Sequence, residues 1–287
     1  MNYSLLATDL DGTLFNEEKE IAPDAIKAIH EFRSKGGRVV ICSGRSPLST
    51  KWIAETIGLK EEPIIAYNGA VLLDEQGMVL EQFTFQNDEV LSFLDACQSE
   101  GIYAHVYEGD TLLIPEEGRW NQRWIENNIP ALAKSGGRLE ACEAYRKQCD
   151  VKLIENFPAY IREHKPAITK MAVFHESGSL RDFSTSITHT FKGFEISSSL
   201  NYRNLEISPA GITKAAALVK LVSHLGIPLS ETAAIGDNYN DMLMLKTAGL
   251  GIAMGNAPDE VKLAANAVTC TNNEDGVGRA IRTFLLL

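Results

Sequence analysis

Four short polar clusters carry the residue types that could do chemistry in this chain. They are Asp9-Leu10-Asp11-Gly12-Thr13, Ser43-Gly44-Arg45, Lys214, and Gly236-Asp237-Asn238-Tyr239-Asn240-Asp241. Together they supply carboxylates, a hydroxyl, an amine and side-chain amides. Such groups can hold a divalent cation and the oxygens of a phosphoryl group.

The acidic pair in the first cluster points to a metal ion. Asp9 and Asp11 follow an apolar run that begins at Ser4, and strand spacing predicts that both side chains lie on one side. Two adjacent carboxylates repel each other unless a cation offsets their charge, and oxygen ligands favour Mg²⁺. Gly12 lets the backbone turn sharply and approach a ligand. The alternative is a solvated turn, since Asp-Gly is a common turn pair.

Two further positions could hold an anion. Ser43 follows a buried strand pattern and precedes Gly44, so its hydroxyl and a backbone N–H could bind a phosphoryl oxygen. The alternative for Ser43 is an ordinary helix N-cap. Lys214 begins a long helical pattern, where its charge and the helix N-terminus would both favour an anion. The alternative for Lys214 is a solvated surface lysine.

The last cluster supplies the additional carboxylate that a metal at Asp9 would need. Asp237, Asn240 and Asp241 follow an apolar strand pattern, and no other acidic cluster ends a strand in the outer segments of the sequence. The alternative is a polar loop in which the asparagines form turns.

The elements that position these clusters follow an α/β pattern at both ends of the chain. Strand and helix patterns alternate within 1–83 and again within 189–287, which predicts a Rossmann-like parallel sheet core covered by helices. All four clusters fall at the ligand-binding edge of such a sheet. Between them, 84–188 shows a helix, a hairpin around Glu108-Gly109-Asp110 and later strands, which predicts an inserted α+β domain.

Composition excludes several classes of function. Of 287 residues, 27 are Lys or Arg and 38 are Asp or Glu, a net charge of −11 that argues against nucleic-acid and membrane binding. An anionic small molecule stays possible, because one metal ion and one lysine reverse the local field. The five scattered cysteines include no CxxC, so we expect a cytoplasmic protein without disulfides. We expect no secretory signal and no membrane span, and a monomer or homodimer.

In this order, the clusters resemble the motifs of the haloacid dehalogenase-like (HAD) phosphohydrolases, and more closely their Cof-type branch with a type IIB cap. The matching segments are Asp9 to Leu14, Ser43 to Arg45 (with Ser where Thr is commoner), Gly211 to Lys214, and Gly236 to Met242. The resemblance covers nearly the whole chain. It implies a discontinuous catalytic core at 1–83 and 189–287, and a cap at 84–188 that closes over the site and selects the substrate.

The resemblance also implies an activity, namely a Mg²⁺-dependent phosphatase of small phosphorylated metabolites such as sugar phosphates, flavin mononucleotide or pyridoxal phosphate. Asp9 would be the nucleophile that forms an aspartyl-phosphate, and Asp11 would be the general acid and base. Mg²⁺ would be held by Asp9, the backbone carbonyl of Asp11, and Asp237. The phosphate-binding groups would be Leu10, Ser43, Gly44, Lys214 and Asn240, with Asp241, Arg45 and Asn68 in supporting places.

Two alternatives use the same scaffold. A sugar-phosphate mutase would need a basic cluster in the inserted segment for a second phosphate, and Arg119 and Arg123 are the closest pair there. A non-catalytic phospho-ligand sensor would be expected to lack Asp9, Asp11 or Lys214, and all three are present. The aromatic residues of the insert could be core or could stack on a substrate ring; they are Tyr103, Tyr107, Trp120 and Trp124.

Overall fold

The computed structural model describes residues 3–121, 150–175, 180–199 and 202–286. Its strands are β1 (Leu5–Thr8), β2 (Arg38–Cys42), β3 (Ile64–Ala66), β4 (Val71–Leu73), β5 (Val79–Gln82), β6 (Tyr103–Glu108), β7 (Thr111–Ile114), β8 (Asp150–Leu153), β9 (Ile168–Phe174), β10 (Phe194–Ser199), β11 (Asn204–Pro209), β12 (Thr232–Gly236), β13 (Leu250–Ala253) and β14 (Ala267–Val268). Its α-helices are α1 (Pro23–Ser34), α2 (Pro47–Thr56), α3 (Asn87–Ser99), α4 (Phe157–His164), α5 (Arg181–Thr190), α6 (Lys214–Leu225), α7 (Met242–Thr247), α8 (Asp259–Ala264) and α9 (Gly276–Ala280).

The first sheet is the predicted parallel sheet, and it confirms the α/β fold class. Its eight strands run in the order β14-β13-β12-β1-β2-β3-β4-β5. The pairs from β14 to β3 are parallel, while β4 and β5 add an antiparallel edge. Strand β1 lies between β2, which is the next strand along the chain, and β12, which comes much later. The strand order therefore changes direction at β1. Ligands bind at such switch points in open α/β sheets.

Helices cover both faces of this sheet, which explains why its central strands are mostly apolar. Every residue of β1 is buried. Its side chains alternate between two cores, with Leu6 packed in the core that includes α1, and Leu5 and Ala7 in the core that includes α6. Both faces of a parallel sheet need apolar side chains when helices lie on each.

The second sheet has six strands in the order β10-β11-β9-β6-β7-β8. All its pairs are antiparallel except β7 with β8. Residues of α3, α4 and α5 pack on one face of the sheet and form a separate apolar core. The predicted hairpin around Glu108-Gly109-Asp110 is confirmed as β6 and β7.

The predicted boundary at residue 189 is wrong. Strands β10 and β11 lie within 189–209, which we assigned to the core, but they pair with β9 in the second sheet. The second domain therefore extends to Pro209, and the chain returns to the first domain just before α6. The sequence does not indicate which sheet β10 and β11 join. The alternation of apolar and polar residues along a strand shows which face is buried, but it does not identify the neighbouring strand.

In the part of the chain that the structure describes, no helix is both long enough and apolar enough to cross a membrane.

Candidate active site

Three neighbouring strands bring the predicted clusters to one edge of the first sheet. Strand β1 ends at Thr8, β2 at Cys42 and β12 at Gly236, and these three strands are adjacent. The backbone N–H of Asp9 still donates to the carbonyl of Ile235 at 3.0 Å, so Asp9 continues the line of β1 by one residue. The first, second and fourth clusters therefore meet at the carboxyl ends of the strands, as predicted.

Lys214 lies at the centre of this edge. Its Nζ donates to Asp9 Oδ1 and to Asp241 Oδ1, each at 2.6 Å. The residue is 1% exposed, so the surface-lysine interpretation is wrong. Helix α6 begins here because the side chain of Thr213 accepts a hydrogen bond from the N–H of Ala216 and caps the helix. The cap fixes the start of the helix, so that Lys214 is its first residue and lies in the site.

Asp241 links Lys214 to the loop that follows β12. Its Oδ2 accepts hydrogen bonds from the backbone N–H groups of Asp237 and Asn238, at 3.1 and 3.0 Å. With Oδ1 taken by Lys214, both carboxylate oxygens are occupied within a fully buried side chain. Burial would lower the pKa of Lys214, but Asp241 and Asp9 outweigh it and raise that pKa above its ordinary value. The lysine is therefore held as a cation.

Asp9 and Asp237 form an acidic pair that lacks enough positive charge. Burial raises the pKa of Asp9 well above its usual value, and Asp241 and Asp237 add to the rise against the effect of Lys214. Burial and the charge of Asp241 raise the pKa of Asp237 to about 7. Carboxylate oxygens of Asp9, Asp237 and Asp241 lie within 4.8 Å of one another. This hard-oxygen donor set fits Mg²⁺, whose charge would offset the repulsion. Asp9 and Asp237 are the better placed ligands, because Asp241 is already saturated.

The turn after Asp9 supports the second carboxylate of this pair. Thr13 Oγ1 donates to Asp237 Oδ1 at 2.8 Å. Gly12 has a φ of +85°, and a Cβ at that position would collide with the Asp237 carboxylate. Only glycine gives the backbone this conformation and this close approach at once.

Asp11 lies beyond the end of β1. Because that strand ends at Thr8, strand alternation does not extend to Asp11, and the expectation that both carboxylates lie on one side stays a prediction. The Asp11 carboxylate accepts from Arg45 Nε at 2.6 Å, Arg45 Nη2 at 2.8 Å and Lys19 Nζ at 2.7 Å. Burial would raise its pKa, but these two cations hold the pKa well below its usual range. The proposed role of the Asp11 backbone carbonyl at a metal stays a prediction.

The loop after β2 is ordered around Ser43. This residue is buried, its N–H donates to the carbonyl of Ile65 at 2.8 Å, and its Oγ accepts from the N–H of Arg45 at 3.1 Å. The N-cap of α2 is Ser46, so the N-cap interpretation of Ser43 is wrong. The hydroxyl hydrogen of Ser43 is not used by the bond from Arg45 and can serve a ligand.

Asn68 and Asn240 are linked to each other at the same edge. Asn240 Nδ2 donates to Asn68 Oδ1 at 3.1 Å. Asn68 has a φ of +55°, in the left-handed region that asparagine tolerates better than most residues. Its own Nδ2 donates to Glu206 Oε2 at 2.9 Å.

Three charged residues at this site were missed by sequence reasoning. Lys19 binds Asp11, and Lys170 and Glu206 reach the edge from the second sheet. Lys170 gave one signal, since it is a lysine inside the apolar strand Ile168–Phe174. Lys19 lies in a polar segment and Glu206 in an ordinary alternating strand pattern, and neither gave a signal.

Tyr107 and Trp120, two of the four aromatic residues singled out in the insert, pack against other rings. Tyr107 is buried with its ring centroid 5.3 Å from that of Tyr67, and Trp120 stacks on Phe174 at 5.1 Å. Trp124 and Arg123 lie outside the described residues.

A model of the haloacid dehalogenase-like hydrolase family matches residues 6–281. Among curated proteins, the chain is 32% identical to the 5-amino-6-(5-phospho-D-ribitylamino)uracil phosphatase YcsE of Bacillus subtilis, over 100% of this chain and 97% of that one. It is 28% identical to the pyridoxal phosphate phosphatase YbhA of Escherichia coli, over 100% of both chains.

Solved structures share the whole architecture. A haloacid dehalogenase-like hydrolase from B. subtilis superposes with a TM-score of 0.83 at 31% identity, covering 98% of this chain and 100% of that one. The HAD subclass IIB sugar phosphatase BT4131 superposes with a TM-score of 0.79 at 22% identity, covering 99% and 100%. The second likeness establishes the fold alone.

Proposed function

The chain belongs to the haloacid dehalogenase-like hydrolases, and from that premise we propose that it is a Mg²⁺-dependent phosphatase of small phosphorylated metabolites. Two of its relatives are phosphatases of a ribitylaminouracil phosphate and of pyridoxal phosphate. These two substrates, like sugar phosphates and flavin mononucleotide, are phosphate monoesters of small polar or ring-bearing alcohols. We propose that the substrates of this chain belong to the same class. The second domain, which reaches Pro209, is the cap in this proposal.

The observation that carries the proposal is the buried Lys214 between Asp9 and Asp241, beside Asp237. Asp9 attacks the phosphorus in line, and the bond from phosphorus to the leaving oxygen breaks as the aspartyl-phosphate forms. Lys214 fixes the Asp9 carboxylate through Oδ1 and brings positive charge to the phosphoryl oxygens. When bound by Asp9, Asp237 and the Asp11 carbonyl, Mg²⁺ supplies positive charge that offsets the carboxylates and the phosphoryl oxygens.

Asp11 transfers the protons in this proposal. It donates a proton to the leaving oxygen in the first step and takes one from the water that hydrolyses the aspartyl-phosphate in the second. To donate a proton it must first leave its ion pairs with Arg45 and Lys19, which hold it ionised, and take up a proton from solvent. A substrate phosphate is an alternative anionic partner for those two cations.

The remaining groups orient the phosphoryl oxygens. These groups are hydrogen-bond donors in the loops at this edge, and they belong to the backbone or to short side chains. They are the N–H groups of Leu10 and Gly44, the Ser43 hydroxyl and the Asn240 amide. Donors fixed in advance lose little entropy on binding and stabilise charge as it develops.

The test is release of phosphate from a panel of monoesters that includes an activated aryl phosphate, a sugar phosphate, flavin mononucleotide and pyridoxal phosphate. We expect release with Mg²⁺, none with excess chelator, and none from the D9N variant. Absence of release from every ester would overturn the proposal. Isomerised sugar phosphate in the same tubes would then favour the mutase, and Mg²⁺ binding without turnover would favour the sensor.

A further inference from the structure

Two charged residues of the cap meet the loops of the first sheet. Lys170 on β9 and Glu206 on β11 form an ion pair with Nζ 2.6 Å from Oε1. Lys170 is 4% exposed, and its ammonium lies 5.7 and 5.5 Å from the ring centres of Tyr67 and Tyr107. A buried ammonium is stable only where its surroundings satisfy its charge and its donors. Its partners therefore define its role.

One contact of Lys170 leads to Ser43. Its Nζ donates to the carbonyl oxygen of Gly44 at 2.7 Å. The N–H of that same peptide unit belongs to Arg45, and it donates to Ser43 Oγ at 3.1 Å. Because the peptide unit is planar and rigid, holding its carbonyl also sets the direction of its N–H. The cap lysine thus orients the hydrogen bond that Ser43 accepts and leaves the serine hydrogen to donate.

Glu206 leads in the same way to Asn240. Its Oε2 accepts from Asn68 Nδ2 at 2.9 Å, and Asn68 Oδ1 accepts from Asn240 Nδ2 at 3.1 Å. An amide that donates at nitrogen and accepts at oxygen has its orientation fixed. Glu206 also lies against the loop of Ser43, since a Cβ at Gly44 would be 2.8 Å from Oε2.

We propose that Lys170 and Glu206 are positioning residues that set the phosphate-binding groups Ser43 and Asn240 when the cap closes on the core. They act through the Gly44–Arg45 peptide and through Asn68, and they do not touch the reacting atoms. The inference rests on the proposed function, which makes Ser43 and Asn240 ligands of the phosphoryl group. It implies that the phosphate site is complete only in the closed arrangement, which couples turnover to closure.

A positioning pair and a pair that binds the leaving group have different kinetic signatures. The phosphoryl group is common to all substrates, so loss of positioning lowers kcat by a similar factor whatever alcohol leaves. Loss of a direct contact to the alcohol changes kcat/KM by factors that depend on the substrate, and mainly through KM.

The test compares E206Q, K170M and the double variant K170M/E206Q with the wild type, on an aryl phosphate and on the best alkyl ester of the panel. The double variant is decisive, because it removes both charges and leaves neither buried alone. We expect kcat to fall roughly 10- to 100-fold, by factors that agree within about threefold between the two esters. We expect the double variant to be no worse than the worse single variant, since the pair acts as one unit. Inhibition by orthovanadate with Mg²⁺ should weaken by a similar factor, and K170R should restore part of the loss.

One cap variant serves as a matched control. K152Q removes an exposed lysine of β8 that contacts Tyr160 and, among the described residues, makes no contact with the loops of the first sheet. It should keep kcat within about threefold of the wild type.

Four results overturn the inference. An active wild type whose double variant keeps its kcat contradicts the inference alone, and so do losses confined to KM or differing more than tenfold between esters. A wild type that hydrolyses no ester overturns the proposed function and the inference together.

Discussion

Arg45 holds both carboxylate oxygens of Asp11, with Nε 2.6 Å from Oδ2 and Nη2 2.8 Å from Oδ1. Lys19 binds the same carboxylate, and its side chain is 41% exposed where that of Arg45 is 12% exposed. The residue assigned to proton transfer is thus held in its ionised form by a partly buried, two-point contact. Charge-assisted pairs of this geometry are the stronger kind. In the proposed mechanism, Asp11 must therefore be released from this contact before it can donate a proton.

Replacement of Asp11 should separate the two chemical steps. In D11N, an alkyl ester should lose about 10²- to 10⁴-fold in kcat, because its alkoxide needs a proton to leave. An activated aryl phosphate should still phosphorylate Asp9 but hydrolyse slowly, since the second step has lost its base. Rapid-quench kinetics should show a burst of aryl alcohol close to the enzyme concentration. Equal losses on both esters, without a burst, would contradict this role.

Replacement of Lys214 should destabilise the fold as well as stop turnover. K214M leaves Asp9 and Asp241 buried without their shared cation, which costs about 3–5 kcal/mol when a buried pair is broken. The double variant K214M/D241N removes one of the two orphaned charges and should recover part of that stability, while phosphatase activity stays lost. Urea unfolding monitored by circular dichroism, beside phosphate release, measures both. Recovery of activity in the double variant would show that Lys214 acts only through Asp241.

Replacement of Gly12 by alanine should weaken Mg²⁺ binding through Asp237. The new Cβ would collide with the Asp237 carboxylate, and φ at this position is +85°. Gly36 is the matched control, because its φ is +89° and a Cβ there meets nothing within 4 Å. G36A isolates backbone strain of about 1 kcal/mol and should leave metal affinity unchanged. Calorimetric titration with Mg²⁺ should show at least a tenfold loss in G12A alone. A similar loss in both variants would attribute it to strain.

The sequence predicted the site better than it predicted the boundaries of the domains. Strand order along the chain was enough to place Asp9, Ser43 and Asp237 at one edge, because parallel strands bring their carboxyl ends together. The partners of Asp11 were not predictable, since β1 stops one residue before Asp9 and side-chain alternation ends there.

The contacts from the cap were also beyond the reach of the sequence. Lys170 and Glu206 reach Gly44 and Asn68 across sequence separations of 126 and 138 residues. Contacts across such distances depend on how two domains pack, and local spacing carries no information about that.

His105 should make the stability of the protein depend on pH. Its ring nitrogens contact the hydroxyls of Tyr103 and Tyr107 at 3.3 and 3.0 Å, and it is 1% exposed. Burial, with a smaller effect from the charge of Lys170, lowers its pKa from 6.5 to about 3. In the folded protein the ring thus stays neutral over most of the range in which the unfolded chain takes up a proton.

The sign of the effect follows from that difference in pKa. Above the unfolded value the ring is neutral in both states, so the contribution to stability is fully present. As pH falls from 6.5 toward 3, only the unfolded state binds the proton, and stability decreases by at most about 1.4 kcal/mol per pH unit. Carboxylates titrate in the same range, so the measurement is a difference between proteins.

Urea unfolding of the wild type and of H105Q between pH 4 and 7 should give a shallower pH dependence for the variant, because glutamine keeps polar contacts to both tyrosines and does not titrate. Parallel curves for the two proteins would mean that His105 takes up its proton over the same pH range in the folded protein as in the unfolded chain.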